Sequence, residues 1–134
     1  MGPRSRCFVV IGGGTGAYTA LRAQTSGLES IVLEKTGSCG GSTIFPSSVV
    51  WAPCNDIMAQ VGDEDSREEA LAYIAAGSAD TYIPELAEAF VDNINTAVTN
   101  VAELAGILWG YWAGGIDYRP ELDGGKKLVG RSCL

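Results

Sequence analysis

A chain of 134 residues with 16 acidic and 9 basic side chains, a net charge of −7 and a pI near 4.4 offers no basic face, which argues against nucleic acid or an anionic membrane as partner. Its 46% hydrophobic and 19% charged content is that of an ordinary globular domain, and the length allows one domain at most. Histidine is absent, which removes Ser-His and Cys-His catalysis and most zinc sites.

Met1 to Arg6 carries two arginines, but the apolar run behind it, Cys7 to Ile11, is too short for a signal-peptide core or a bilayer span, so the expected location is the cytoplasm. The β-branched and aromatic run Phe8 to Ile11 predicts a strand of a parallel sheet, buried on both faces. Gly12, Gly13, Gly14 and Gly16 then force a tight turn that opens a helix. A loop without Cβ atoms lets a pyrophosphate approach free N–H groups at the positive end of that helix. Ala17 fills the third glycine position of the GxGxxG pattern, where a small residue lets helix and strand pack closely. Ser30 to Leu33 predicts the second strand, and Glu34 follows 22 residues after Gly12, where an acid takes the hydroxyls of an adenosine ribose. An acid there selects an unphosphorylated ribose, hence FAD or NAD over NADP.

Thr36 to Ser48 is a loop rich in Gly, Ser, Thr and Pro. Gly40, Gly41, Ser42 and Thr43 either offer amides and hydroxyls to the cofactor or belong to a flexible connector. Val49 to Ala52 is short and apolar and ends at Pro53. Asp63 to Asp65 reads as an acidic hinge. Ser66 with Glu69 three places on is a capping box, predicting a helix from Arg67 to Ala76 closed by Gly77. Pro84 fits the first turn of a long helix capped from Asp80 or Thr81, with a stripe of core residues at Leu86, Phe90, Ile94, Val98, Val101, Leu104 and Leu108. Glu85, Glu88 and Asp92 read as a solvated face suited to the helix dipole. Trp109 to Trp112 and Tyr118 form an aromatic cluster, lining an apolar pocket or packing back on the core. The four cysteines lack CxxC spacing and are expected to be free thiols.

Taken together, VVIGGG at Val9 to Gly14, LEK at Leu33 to Lys35, GGST at Gly40 to Thr43, W-x-P at Trp51 to Pro53, D-S-x-E within Asp65 to Ala70, and the stretch from Gly114 to Ser132 with its DY, PE, GG and GRS resemble the FAD-dependent 3-ketosteroid Δ1-dehydrogenase and fumarate reductase flavoprotein family. The likeness spans nearly the whole chain in order, and the Asp117-Tyr118 and Pro120-Glu121 context is nearer the dehydrogenase branch. It implies an α/β fold: a partial Rossmann-like FAD-binding domain, a β-α-β start plus helices, with an incomplete parallel sheet. Residues 1–134 are then the N-terminal part of that domain, without a separate substrate domain. The resemblance makes Gly12, Gly13, Gly14, Thr15, Gly16, Ala17, Glu34, Lys35, Gly40, Gly41, Ser42 and Thr43 the candidate FAD-binding residues, with Gly41, Ser42 and Thr43 toward the flavin. It makes Tyr118 an active-site tyrosine that takes a proton beside the ketone of an apolar or steroid-like substrate. Because two strands are too few for a sheet of this kind, a second protein chain, a complementing subunit or another copy, is expected to cover it. A flavoprotein-derived module without redox activity and a plain truncation are the alternatives.

Overall fold

The computed structural model describes residues 7–45, 48–127 and 130–134; the expectations that involve Met1–Arg6, Pro46, Ser47, Leu128 and Val129 lie outside the described residues. The chain forms two compact units, Met1–Ser48 and Val49–Leu134.

In the first unit, β1 (Cys7–Ile11) and β2 (Glu29–Leu33) pair in parallel, Cys7 opposite Glu29 through Ile11 opposite Leu33. The crossover is α1 (Thr15–Thr25), which turns Ala20 and Ala23 inward and ends at Ser26 and Gly27. This is the expected β-α-β start, with β2 one residue longer at its beginning. The expectation of strands buried on both faces is corrected: Val10 is buried, whereas Phe8, Val9, Ile11, Ile31 and Leu33 are exposed. The physical reason is coverage: among the described residues β1 and β2 make a two-stranded sheet on which α1 packs, and each strand has an unpaired outer edge.

The second unit contains a two-stranded antiparallel sheet that the sequence did not announce: β3 (Val50–Trp51) pairs with β4 (Ser132–Cys133), extended by Ala52 N–H donating to Arg131 O at 2.7 Å. Its core is Ala52, Val98 and Cys133, with Val50, Ile57, Ile94 and Trp109 packed against them. Asn55 caps the short helix α2 (Asp56–Gln60), its Oδ1 accepting Met58 N–H at 2.9 Å. Ser66 caps α3 (Arg67–Ser78) as expected, its Oγ accepting Glu69 N–H at 3.1 Å. Gly77 does not close that helix; it lies inside it, and the chain leaves the helix at Ala79, whose φ of 48° is left-handed.

The long helix α4 (Pro84–Ala105) begins at its proline, but Ile83 occupies the cap position, and Asp80 and Thr81 sit in a short 3₁₀ turn instead of capping it. Gly106, at φ 67°, ends the helix before Leu108, which is 94% exposed. The stripe is partly corrected: α4 buries Ala87, Val91 and Val98, while Leu86, Phe90 and Leu104 remain exposed. Asp92, read as a solvated acid, accepts both Arg67 Nε (2.7 Å) and Nη2 (3.1 Å), tying α3 to α4.

Candidate functional site

The first unit places the glycine turn between β1 and α1. Gly12 has φ of 92°, a left-handed conformation that side chains resist, and open space lies where its Cβ would be. The close helix–strand approach expected at Ala17 is made one residue earlier: a Cβ on Gly16 would stand 2.7 Å from Val10 Cγ1, and Ala17 itself is exposed. Gly14 occupies the cap position of α1 without a side-chain cap, and the first turn carries no acid, which leaves the positive helix end free for an anion.

Glu34 closes this turn from the end of β2. Its Oε2 accepts Gly13 N–H at 2.7 Å, and its Oε1 accepts Thr36 N–H at 3.0 Å and the Thr36 hydroxyl at 3.1 Å. The Thr36 amide first, then the Gly13 amide and the Thr36 hydroxyl, hold the carboxyl below its ordinary range, so it is an anion at neutral pH. A carboxylate has about four lone-pair sites, and the three donors leave one for a ribose hydroxyl. Thr15, within the turn, and Lys35, next to Glu34 in sequence, are exposed.

The GGST stretch is a built element: Gly41–Ile44 is a turn of 3₁₀ helix, closed by Thr43 N–H donating to Gly40 O at 3.0 Å. It lies against the glycine turn, because a Cβ on Gly14 would meet both Gly40 O and Thr43 Oγ1 at 2.9 Å. Gly12 to Gly16, Glu34 and Gly40 to Thr43 therefore form one continuous polar surface in the first unit. Open space at Gly12, an uncapped helix start and an anionic carboxylate with a spare acceptor site fit a dinucleotide.

The second unit holds Tyr118, whose side chain is 96% exposed at the edge of an apolar cavity of about 280 Å³ that Trp51, Tyr73, Ile74 and Leu122 also line. A neighbouring cavity of about 340 Å³ shares Trp51 and Ile74 and is lined further by Ile83, Leu86 and Phe90. The rest of the aromatic cluster packs: Trp109 Nε1 donates to Val98 O at 3.0 Å, and Tyr111 bridges to Cys133 while its hydroxyl donates to Asp63 at 3.3 Å.

Beneath Tyr118 lies a buried ion network that sequence reasoning missed. Arg131 donates from Nε and Nη2 to the two oxygens of Asp65 and from Nη1 to Asp117 Oδ2, each at 2.8 Å, and these three side chains are between 0% and 2% exposed. Asp117 also accepts Trp51 Nε1 at 2.8 Å and Lys126 N–H at 2.9 Å. Burial alone would raise the Asp65 carboxyl, but the Arg131 fork and the amides of Cys54 and Ser66 outweigh it and hold Asp65 below its ordinary range. Among the described residues every buried side-chain polar atom has a hydrogen-bond partner. Gly130 is required by close approach, since a Cβ there would overlap the Gly115 carbonyl. The available signal was the separate D-S, DY and GRS fragments, which the fold brings to one point.

With this geometry, the family can be assigned. Residues 8–133 match the FAD binding domain family, and the chain belongs to it; FAD is the cofactor of that family. In sequence it is 34% identical over 125 residues to 3-oxosteroid 1-dehydrogenase of Mycolicibacterium smegmatis, covering 92% of this chain and 22% of that protein. It is 32% identical over 127 residues to 4-oxocyclohex-2-ene-1-carboxylate 5-dehydrogenase of Sinomonas cyclohexanicum, covering 95% of this chain and 21% of that one. In structure it superposes with a TM-score of 0.78 at 29% identity on 3-ketosteroid Δ1-dehydrogenase from Sterolibacterium denitrificans, solved with 1,4-androstadiene-3,17-dione, over 94% of this chain and 22% of that one. The chain thus spans about a fifth of the length of these relatives. No helix among the described residues is long and apolar enough to cross a membrane.

Proposed function

We propose that this chain supplies the ADP-binding part of the FAD site and an active-site tyrosine to a flavin-dependent dehydrogenase of cyclic ketones, steroid-like ones included. The observation that carries the reading is the Glu34 carboxylate fastened to the Gly13 amide at 2.7 Å, which sets an anionic diol acceptor beside the glycine turn. In this reading Gly12, Gly14 and Ala17, at the turn and the start of α1, approach the pyrophosphate, Glu34 takes the adenosine ribose, and Gly41, Ser42 and Thr43 line the flavin side. FAD bound there supplies the hydride acceptor. Tyr118, on its exposed edge of an apolar cavity, takes the proton from the carbon beside the ketone, a role that needs neighbouring groups to favour its anion. The relatives' names join a steroid ketone and an oxocyclohexene ring, and the chemistry they share is a ketone in a six-membered ring.

The exposed Phe8, Val9, Ile11, Ile31 and Leu33 and the unpaired edges of β1 and β2 support a complementing chain or a second copy that extends the sheet. Calorimetric titration of the chain with FAD and with ADP tests the cofactor reading. Both are expected to bind, and Glu34→Ala to bind about 10-fold or more weakly through lost ribose hydrogen bonds. No heat and no change in melting temperature with the unaltered chain would overturn it.

A further inference from the structure

We infer that the Tyr73 hydroxyl positions Tyr118 by fixing the backbone on its C-terminal side, an inference that rests on the reading of Tyr118 as the active-site tyrosine. The side chain of Tyr118 is almost free of contacts, yet both of its neighbours are held. On one side Asp117 is buried, its carboxylate accepting from Arg131, Trp51 and the Lys126 amide, while its own N–H donates to Lys126 O at 3.3 Å. On the other side Arg119 N–H donates to Tyr73 Oη at 3.0 Å. Beyond it, Pro120 fixes one dihedral, and Leu122 N–H returns to Arg119 O at 3.0 Å. The tyrosine is thus an exposed ring on a backbone pinned at the residue before and the residue after.

The two pins differ in kind. The Asp117 pin belongs to the ion network that organises the second unit, so removing it disturbs the fold. The Arg119 pin is one hydrogen bond from one hydroxyl. The ring that carries this hydroxyl is held independently: it stands 5.7 Å from the Trp51 ring at 33°, and the Arg131 guanidinium lies 5.8 Å from its centroid. Deleting the hydroxyl therefore leaves the Tyr73 ring in place and frees Arg119. Tyr73 also lines the same 280 Å³ cavity as Tyr118, so the positioning ring and the positioned one border a single ligand volume.

Tyr73→Phe in the full chain tests this by site-resolved nuclear magnetic resonance. Exchange of the Arg119 amide is expected to accelerate about 3- to 10-fold, the worth of one modest hydrogen bond. The backbone order parameter of Tyr118 is expected to fall from a rigid value of about 0.85 toward about 0.6. The exchange of Ala52 and Ala70 amides should stay unchanged, which a general loss of stability would not allow. An unchanged Arg119 amide, or an unchanged Tyr118 order parameter, overturns the inference. In a dehydrogenase assembled around this chain, Tyr73→Phe should lower kcat about 10-fold with KM constant, as loss of orientation does; unchanged kcat also overturns it. Full turnover by Tyr118→Phe would overturn the reading of Tyr118, and with it the functional part of this inference, even where the backbone measurements follow expectation.

Discussion

Arg131→Met removes the cation that two buried carboxylates share. Arg131 makes three hydrogen bonds of 2.8 Å to Asp65 and Asp117, all three side chains withdrawn from water. After the change Asp65 retains the amides of Cys54 and Ser66, both at 2.9 Å, and Lys126 Nζ at 3.6 Å. Asp117 retains Trp51 Nε1 and the Lys126 amide. Neither is orphaned, but both lose the guanidinium and stay buried, with Lys126 Nζ, 3.6 Å from Asp65, as the cation that remains. Breaking such a pair by removing one partner costs about 3–5 kcal/mol. With an unfolding entropy of about 2.1 cal/mol/K per residue, the melting temperature should fall by about 10–20 °C. Thermal unfolding followed by near-ultraviolet circular dichroism measures it, with Arg131→Lys as a control that keeps the charge but loses the fork and should fall between. An Arg131→Met protein that melts within about 3 °C of the parent would refute the assignment of the network as the organising core of the second unit.

Other outcomes follow from the same geometry. Because the native Asp65 carboxyl is held below its ordinary value, the unfolded chain binds the proton first as pH falls; the contribution of Asp65 is complete above the ordinary aspartate value of about 3.9 and is lost as pH drops through the lowered native value. Urea midpoints measured across that range should decline for the parent and decline less for Asp65→Asn. Gly130→Ala drives a Cβ into the Gly115 carbonyl and should destabilise by more than about 2 kcal/mol, read by the same unfolding assay; an unchanged midpoint would show that the two backbones can part freely. Tyr118→Phe should leave flavin content intact and lower turnover of an assembled enzyme about 100-fold, and an unchanged rate would assign the ring to packing. Sedimentation over a dilution series should show association that weakens on dilution; a well-melting monomer at every concentration would show that β1 and β2 need no further cover.

The parts legible in the sequence are those in which neighbours in sequence are neighbours in space. The turn from Gly12 to Gly16, the acid at Glu34 and the Ser66 cap are each specified within one supersecondary unit, so residue type and spacing were sufficient. The 3₁₀ turn at Gly41–Ile44 was not legible, because a Gly-Ser-Thr run is equally compatible with a connector; the turn forms where the stretch packs on Gly14. The stripe on α4 was legible as apolar but not as covered: periodicity marks Leu86 and Phe90 as alike with Val98, and only tertiary packing separates a cavity wall from a core. Least legible was the network, whose Arg131 and Asp65 stand 66 positions apart, and β3 with β4, which at two residues each are too short to show alternation.

Trp51 sits where the ion network and the two apolar cavities of the second unit meet, and that makes it an optical reporter. Its indole N–H is bonded to Asp117, its ring stacks on Phe90 at 5.9 Å and 7°, and it forms a wall of both apolar cavities. Water leaving either cavity changes the polarity around the same chromophore. Emission from this indole, isolated by replacing Trp109 and Trp112, therefore signals occupancy of the pair as one quantity.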